Sequence, residues 1–254
     1  MSVSKYNFYK KNGYCVLNLF KKKDISIIKE KIIAKLNDLS KKSTFNFKNR
    51  KLEKYDQLIN NNQLHKKLMN PDKRHINLPK NLIKKILNKN VLYIIKQEWG
   101  HTFCSASWIG NAYKKQVKSN STGFRIARPV KNKKNNDASG AHVDVNAGGK
   151  IRSDFLAQLT MWIPVIGFSS KYTLRLSPKS QKYLHNKKLK KKSRLTPIFP
   201  KNYEKKFKFI RPNLKLGQAL LLHPNLLHGS SSNIGSFSRV SLDTRILNLK
   251  RFKI

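Results

Sequence analysis

The chain of 254 residues contains 39% hydrophobic and 10% aromatic residues, which indicates a globular protein with a sizeable core and excludes a largely disordered one. No apolar run approaches the roughly 18 residues that a membrane span needs, and no secretory signal is visible at the N-terminus. We therefore expect one cytoplasmic domain over residues 1–254, in which Cys15 and Cys104 are unpaired thiols.

The formal charge of +43 would ordinarily suggest nucleic acid or an anionic surface as a partner. Lysine, however, outnumbers arginine by 44 to 11, and the lysines are scattered along the chain instead of forming one helical stripe. No pattern of interleaved aromatic residues typical of an RNA-recognition module is present. We attribute the excess of lysine to the codon usage of an AT-rich genome and do not expect nucleic acid as the partner, although the positive field would attract anionic small molecules.

The N-terminal part, up to about residue 100, is predicted to support a core that follows it. A strand is expected over Tyr6–Leu19, where aromatic and apolar residues precede and follow a turn. A helix is expected over Ile25–Leu39, because its isoleucines and leucines recur at helical spacing and Asp24 is a suitable N-cap.

The next segment, residues 41–75, is polar and rich in lysine and asparagine. This composition is typical of an exposed loop, in which His65 would be a solvated surface histidine. Beyond it, the apolar residues of Leu78–Ile95 predict one or two further helices that continue to Trp99.

The core is expected from about residue 101 to residue 250, where short apolar or alternating runs separated by turn residues predict strands. The Lys131–Ser139 run between two of them is a flexible loop that could close over a site. Helices followed by many strands give a β-rich α+β fold class. The strands are expected over Phe103–Tyr113, Gly123–Pro129, Phe155–Val165, Tyr172–Leu176 and Gln218–Leu222, with a last strand that begins near Arg239.

A His-x-Asp pair, His142 and Asp144, is the first candidate for metal binding. On an extended chain the two side chains point to the same side, since side chains alternate with period two. A histidine from a distant strand would complete two imidazoles and one carboxylate, the facial triad of non-haem Fe(II) oxygenases. His228 is the favoured third ligand, and His223, which ends an apolar run before a proline, is the alternative.

Arg239 follows His228 by eleven residues, and Ser241 lies two positions further on the same face of the predicted strand. An extended strand would direct this pair at a carboxylate beside the metal. Arg245, which shares that face, is the alternative to Arg239.

Three further residues are candidates for lining the pocket. Gln158 and Trp162 share one face of the strand Phe155–Val165 with Thr160, and both would lie near the metal if that polar face looks into the core. Arg128, at the end of an earlier strand, is a candidate anion contact, and a solvated arginine at the edge of the sheet is an equal alternative.

Together these residues resemble the Fe(II)/2-oxoglutarate dioxygenases, and within them the phytanoyl-CoA dioxygenase-like family. The likeness extends over most of the chain and depends on the order and spacing of the segments. The "PGSHK"-like element departs from the family pattern at Lys179 and Gln181. The segments that carry the likeness are Asn12–Leu17, Phe124–Pro129, Met161–Pro164, Leu176–Lys182, Gly217–His228 and the metal loop around His142.

The resemblance implies a double-stranded β-helix, or jelly roll, with flanking N-terminal helices. It implies Fe(II) held by His142, Asp144 and His228, with 2-oxoglutarate and O2 as co-substrates and Arg239 with Ser241 on the far carboxylate. The expected activity is hydroxylation of a small-molecule metabolite, such as an acyl-CoA or a sugar, antibiotic or polysaccharide intermediate. The alternatives are an inactive β-barrel that binds a small molecule and a basic nucleic-acid-associated protein.

Overall fold

The computed structural model describes most of the chain, namely residues 2–40, 51–70, 73–100, 104–107, 121–130, 137–138, 140–146, 158–169, 171–183 and 198–248. Most of the predicted Lys131–Ser139 loop lies outside these residues.

Seven antiparallel strands form the major sheet, in the spatial order β1, β7, β5, β9, β4, β2, with β3 also paired to β9. The long strand β9 is central: it pairs with β5 on one side and with β4 and β3 on the other. The strands are β1 (Tyr14–Asn18), β2 (His75–Asn77), β3 (Cys104–Ser107), β4 (Ser121–Ala127), β5 (Gln158–Ile166), β7 (Gln218–Leu222) and β9 (Arg239–Asn248).

A second, minor sheet consists of β6 (Leu174–Leu176) and β8 (His228–Ser230), also antiparallel. Isolated bridges extend it on both sides, from β8 to His142 and from β6 to Ile210. The two antiparallel sheets and the helices confirm the predicted β-rich α+β class.

Six α-helices lie before β4 among the residues that the structure describes. Helix α2 carries an apolar stripe that includes Ile28, Ile32 and Leu36, all fully buried in the main core. Because such a stripe must be covered, the helix packs against the apolar side of the major sheet. The helices are α1 (Ser2–Asn12), α2 (Lys22–Ser40), α3 (Tyr55–Leu58), α4 (Asn62–Leu68), α5 (Lys80–Ile86) and α6 (Lys89–Trp99).

Two predictions for the N-terminal part are wrong. Residues 2–12 form helix α1 and not the first half of a strand, so only β1 remains of the strand predicted over Tyr6–Leu19. Asp24 is not the N-cap of α2 but lies inside its first turn, where its carboxylate accepts a hydrogen bond from the backbone N–H of Lys21.

The segment predicted as an exposed loop is partly helical and contributes to the core. Leu52, Tyr55 and Ile59 are buried, and His65 is also buried, with its Nδ1 3.1 Å from the Tyr55 hydroxyl. Further along, α5 and α6 confirm the two helices predicted to extend to Trp99. None of the helices in the described part of the chain is both long and apolar enough to cross a membrane.

The major sheet has one apolar face and one polar face. On β5, Leu159, Met161 and Ile163 belong to the core beneath the helices. Alternate residues point the other way, toward the minor sheet, where Trp162 joins a smaller cluster that includes Leu174 and Leu176. The space between the two sheets is where the candidate site lies.

Candidate metal centre

Backbone pairing brings two histidines from distant parts of the chain together. The N–H of His142 donates to the carbonyl of His228 at 2.8 Å, and the return bond is 3.0 Å. The two imidazole centroids lie 4.5 Å apart. Gly229 permits this approach, because a Cβ at that position would lie 2.9 Å from the carbonyl oxygen of Gly140.

Asp144 completes a cluster of three potential metal ligands. It begins a short 3-10 turn, Asp144–Asn146, two residues beyond His142. One ligand atom from each of His142, Asp144 and His228 can be chosen so that all three lie within 4.8 Å of one another. In the described ranges this is the one group of histidine, cysteine and acidic residues with such spacing.

Hydrogen bonds to the backbone orient both imidazoles. Nδ1 of His142 lies 3.0 Å from the carbonyl oxygen of Gly140, and Nδ1 of His228 lies 2.8 Å from that of Leu226. A carbonyl oxygen only accepts, so each Nδ1 carries the proton and each Nε2 keeps its lone pair. This is the arrangement that fixes a metal-binding histidine in one tautomer.

The carboxylate of Asp144 is held at both oxygens. Oδ1 accepts from the Arg245 guanidinium at 3.1 Å, and Oδ2 accepts from the hydroxyl of Thr160. Burial alone would raise the pKa of Asp144, but Arg245, the two histidines and the Thr160 hydroxyl hold it well below its ordinary value. Asp144 is therefore ionised, as a metal ligand must be.

The donor set fits a divalent iron. Burial, followed by the neighbouring His228, lowers the pKa of His142 to about 3, so its ring is neutral and able to coordinate at physiological pH. Two imidazoles and one carboxylate form the three-ligand set of non-haem Fe(II) oxygenases. The three side chains thus suit the metal that the sequence predicts.

Of the two histidines considered as the third ligand, the structure brings His228 into the cluster. His223 lies beside Tyr9 of α1, with ring centroids 6.2 Å apart. Its Nδ1 accepts a hydrogen bond from the backbone N–H of Asn225 at 3.1 Å, and burial lowers its pKa to about 4. These contacts belong to packing between α1 and the end of β7.

Arg239 and Ser241 lie on the polar face of β9, on which Arg245 contacts Asp144. Arg239 is 5% exposed and donates to the carbonyl oxygen of Tyr172. Burial lowers its pKa to about 10, so the guanidinium stays charged at neutral pH. Ser241 is buried between Arg125 of β4 and Pro164 of β5 in the sheet register.

The structure places Arg128 in a network that anchors loops. Its guanidinium pairs with both carboxylate oxygens of Asp137, at 3.0 and 2.9 Å. It also donates to the carbonyls of Ile59 and Asn60 and to the side chain of Asn62. Its donors are thus directed at protein groups.

Gln158 and Trp162 lie on the polar face of β5, as the alternation predicts. Gln158 is 1% exposed, and its Oε1 has no hydrogen-bond partner among the residues that the structure describes. Trp162 packs in the apolar cluster between the sheets. Neither side chain is in the three-ligand cluster, whereas Thr160, between them, contacts it directly.

Thr160 is not among the residues that the sequence predicts for the pocket, although it shares a strand face with Gln158 and Trp162, which are. The alternation of side chains along the strand predicts this position, because every second residue from Gln158 points to the same side of the sheet. The contact of Arg245 with Asp144 had no such signal, since it joins residues 101 positions apart.

Comparison with known proteins agrees with this geometry. The phytanoyl-CoA dioxygenase family profile matches residues 9–241, whereas no curated protein matches significantly. Among solved structures, apo EctD from S. alaskensis superposes with a TM-score of 0.57 at 14% identity, covering 99% of this chain and 78% of EctD. SnoK, a non-haem α-ketoglutarate-dependent carbocyclase from nogalamycin biosynthesis, gives 0.55 at 12% identity, with 98% and 84% covered.

EctD has also been solved with bound Fe, and with 2-oxoglutarate and 5-hydroxyectoine. These structures give TM-scores of 0.55 at 12% and 13% identity, over 99% of this chain and 78% and 77% of EctD. At such identities the likeness shows the fold. The predicted double-stranded β-helix with N-terminal helices is thereby confirmed.

Proposed function

This chain belongs to the phytanoyl-CoA dioxygenase family of Fe(II)/2-oxoglutarate enzymes, and we propose that it binds Fe(II) through His142, Asp144 and His228 to hydroxylate a small-molecule metabolite. The observation that carries the proposal is the convergence of these three ligand atoms within 4.8 Å of one another. Two of them come from the bridged pair of the minor sheet and the third from the adjoining turn.

The chain's own residues prepare the site before any ligand arrives. The carbonyls of Gly140 and Leu226 hold the two imidazoles with Nε2 free. Thr160 and Arg245 hold the Asp144 carboxylate in its ionised form. Because these bonds fix the ligands beforehand, little reorganisation is needed when iron binds.

Bound iron with 2-oxoglutarate and O2 would supply the oxidising chemistry, which converts 2-oxoglutarate to succinate and carbon dioxide and hydroxylates a C–H bond. The protein's share is binding, orientation and the exclusion of water by the apolar cluster around Trp162 and Leu176. Hydroxylation is the outcome we propose for the substrate.

We assign the far carboxylate of 2-oxoglutarate to Arg239, with Ser241 beside it. Arg239 is buried and charged, and its planar fork can pair with a carboxylate through two hydrogen bonds. Arg245 is the weaker candidate because its guanidinium already pairs with Asp144 at 3.1 Å. Arg128 is not assigned to the co-substrate, since it pairs with Asp137.

The test is succinate formation from 2-oxoglutarate by the purified protein, with and without Fe(II), against a panel of candidate small molecules. We expect Fe(II)-dependent turnover that a true substrate stimulates, with a product heavier by one oxygen atom. His228→Ala should abolish turnover, and the matched variant His223→Ala should retain most of it. Equal loss in both variants, or turnover without Fe(II), would contradict the ligand assignment.

A further inference from the structure

Arginine side chains outnumber carboxylates around the polar face of β4 and β9. The face itself provides three guanidiniums, and a fourth reaches it from the segment just before β2. Two carboxylates oppose them in the described part of this region, besides Asp137, which pairs with Arg128 and also lies near enough to act on Arg239. The four cations are Arg74, Arg125, Arg239 and Arg245, and the two anions are Asp144 and Asp243.

Three of the four arginines have close partners. Arg74 is 2% exposed and contacts Asp243 at 3.0 Å. Arg245 contacts Asp144 at 3.1 Å. Arg239 donates to the carbonyl of Tyr172 and is the residue assigned to 2-oxoglutarate above.

Arg125 differs from these three arginines in its exposure and in its longer distance to a carboxylate. Its side chain is 53% exposed, and the nearest carboxylate oxygen, on Asp243, is 3.7 Å from its Nε. That carboxylate already accepts from Arg74 at the shorter distance. The residues on either side of Arg125, Phe124 and Ile126, are buried under the helices, so Arg125 interrupts an otherwise buried strand with a solvent-accessible cation.

The position of Arg125 places this cation on the face of the sheet from which Arg245 contacts Asp144. It lies directly opposite Ser241 in the sheet register, on the face away from the helices. A cation on this face that solvent can reach is suited to an anionic group on an incoming molecule.

The charge balance indicates how many negative charges that group should carry. Fe(II) and the 2-oxoglutarate dianion cancel, so among the described residues of this region four guanidiniums remain, opposed by two carboxylates, and the Arg128–Asp137 pair adds no net charge. We propose, on the basis of the function proposed above, that the substrate carries a phosphate group and that Arg125 binds it. A phosphate monoester carries nearly two negative charges at neutral pH, and the arginine fork pairs with it through two parallel hydrogen bonds.

The experiment titrates inorganic phosphate into the full chain loaded with Mn(II), a redox-quiet substitute for Fe(II), and 2-oxoglutarate, and measures both affinities by calorimetry. Arg125→Gln should weaken phosphate binding by about tenfold or more, the cost of losing hydrogen bonds to a charged group, and leave 2-oxoglutarate affinity unchanged. Arg211→Gln is the control, because Arg211 is an exposed arginine hydrogen-bonded to Ser231 on the outer side of the minor sheet. The Arg211→Gln variant should bind phosphate as tightly as the wild type does.

Two results would overturn the proposal. Equal losses in Arg125→Gln and Arg211→Gln would show diffuse attraction to a highly basic protein. Phosphate affinity that survives Arg125→Gln but disappears in His228→Ala would show phosphate bound to the metal. Arg125-dependent phosphate binding in a protein that fails to bind 2-oxoglutarate would support this inference and refute the proposed function, so the two can fail separately.

Discussion

The two faces of the major sheet use adjacent residues for different purposes. On β5, Met161 is fully buried in the core beneath the helices, whereas Thr160 bonds Asp144 on the opposite face. The same alternation on β9 buries Leu242 among apolar residues and places Ser241 and Asp243 on the polar face. Strand alternation therefore separates the residues that stabilise the fold from those that build the site.

Buried and exposed positions also differ in which basic residue they use. Arg74, Arg128 and Arg239 are buried, whereas no lysine is buried among the residues described by the structure. A guanidinium is more weakly hydrated than an ammonium and offers a rigid fork of donors, so it is better suited to buried ion pairs. Among the described residues, lysine therefore belongs to the surface, and the positive charge at the site comes from arginine.

The largest expected effect is on the apolar face. Met161→Ala should lower the free energy of unfolding by about 2–5 kcal/mol, because it removes a fully buried side chain and leaves a cavity. Denaturant unfolding of the metal-free protein measures this. Metal affinity should be unchanged, and a larger effect on metal binding than on stability would contradict the separation of the two faces.

On the polar face, Arg239→Lys should raise the Kd for 2-oxoglutarate by roughly 10–100-fold, since a lysine cannot reproduce the two-pronged contact with a carboxylate. Calorimetric titration of the Mn(II)-loaded protein is the measurement. Arg211→Lys, on the exposed outer side of the minor sheet, should leave that Kd unchanged. If both substitutions weaken binding equally, general charge and not Arg239 holds the co-substrate.

Thr160→Val should weaken metal binding by about 10–100-fold, the usual cost of removing a group that orients a metal ligand. The variant keeps the shape of the side chain but removes the hydroxyl that Asp144 accepts. Competition with a chelator measures the change. Thr160→Ser, which restores a hydroxyl, should recover most of the affinity, and failure to do so would indicate that packing is responsible.

The most gradual effect is a pH dependence of stability at His223. Burial lowers its pKa from 6.5 to about 4, so between these values the unfolded chain binds a proton that the folded chain excludes. Stability is therefore fully present above pH 6.5 and falls as the pH drops toward 4, by up to about 1.4 kcal/mol per pH unit. Urea unfolding of the metal-free protein at several pH values tests this.

His223→Gln should flatten that slope without altering metal affinity at neutral pH. His142 and His65, whose pKa values burial also lowers, should account for the slope that remains. An unchanged slope in the variant would mean that His223 is accessible to protons in the folded state.

The sequence could predict those features that depend on local period or on short spacing. Strand β7 and helices α5 and α6 lie where apolar runs and helical periodicity indicate them. The pairing of His142 with Asp144 follows from a separation of two residues. Arg239 and Ser241 share a strand, so their common face needed only alternation.

What could not be predicted depends on contacts between distant segments. The polar residues around His65 in the sequence predict a solvated side chain. The side chain is instead buried against Asp137, with 3.3 Å between His65 Nε2 and Asp137 Oδ2. Arg128 is predicted to contact an anion in the pocket. Its guanidinium instead binds Asn60, which precedes it in the sequence, and Asp137, which follows it. One local signal was missed: Asn61 is the N-cap of α4, with its side chain accepting from two backbone N–H groups.

The central place of β9 in the major sheet has a consequence for how the protein is made. Of the strands described, β9 is the last to leave the ribosome, yet it lies between β5 and β4. Until it inserts, those two neighbours have open edges of unsatisfied backbone groups, which invite pairing with other chains. Insertion of β9 therefore completes the sheet, and the chain is most vulnerable to aggregation before this step.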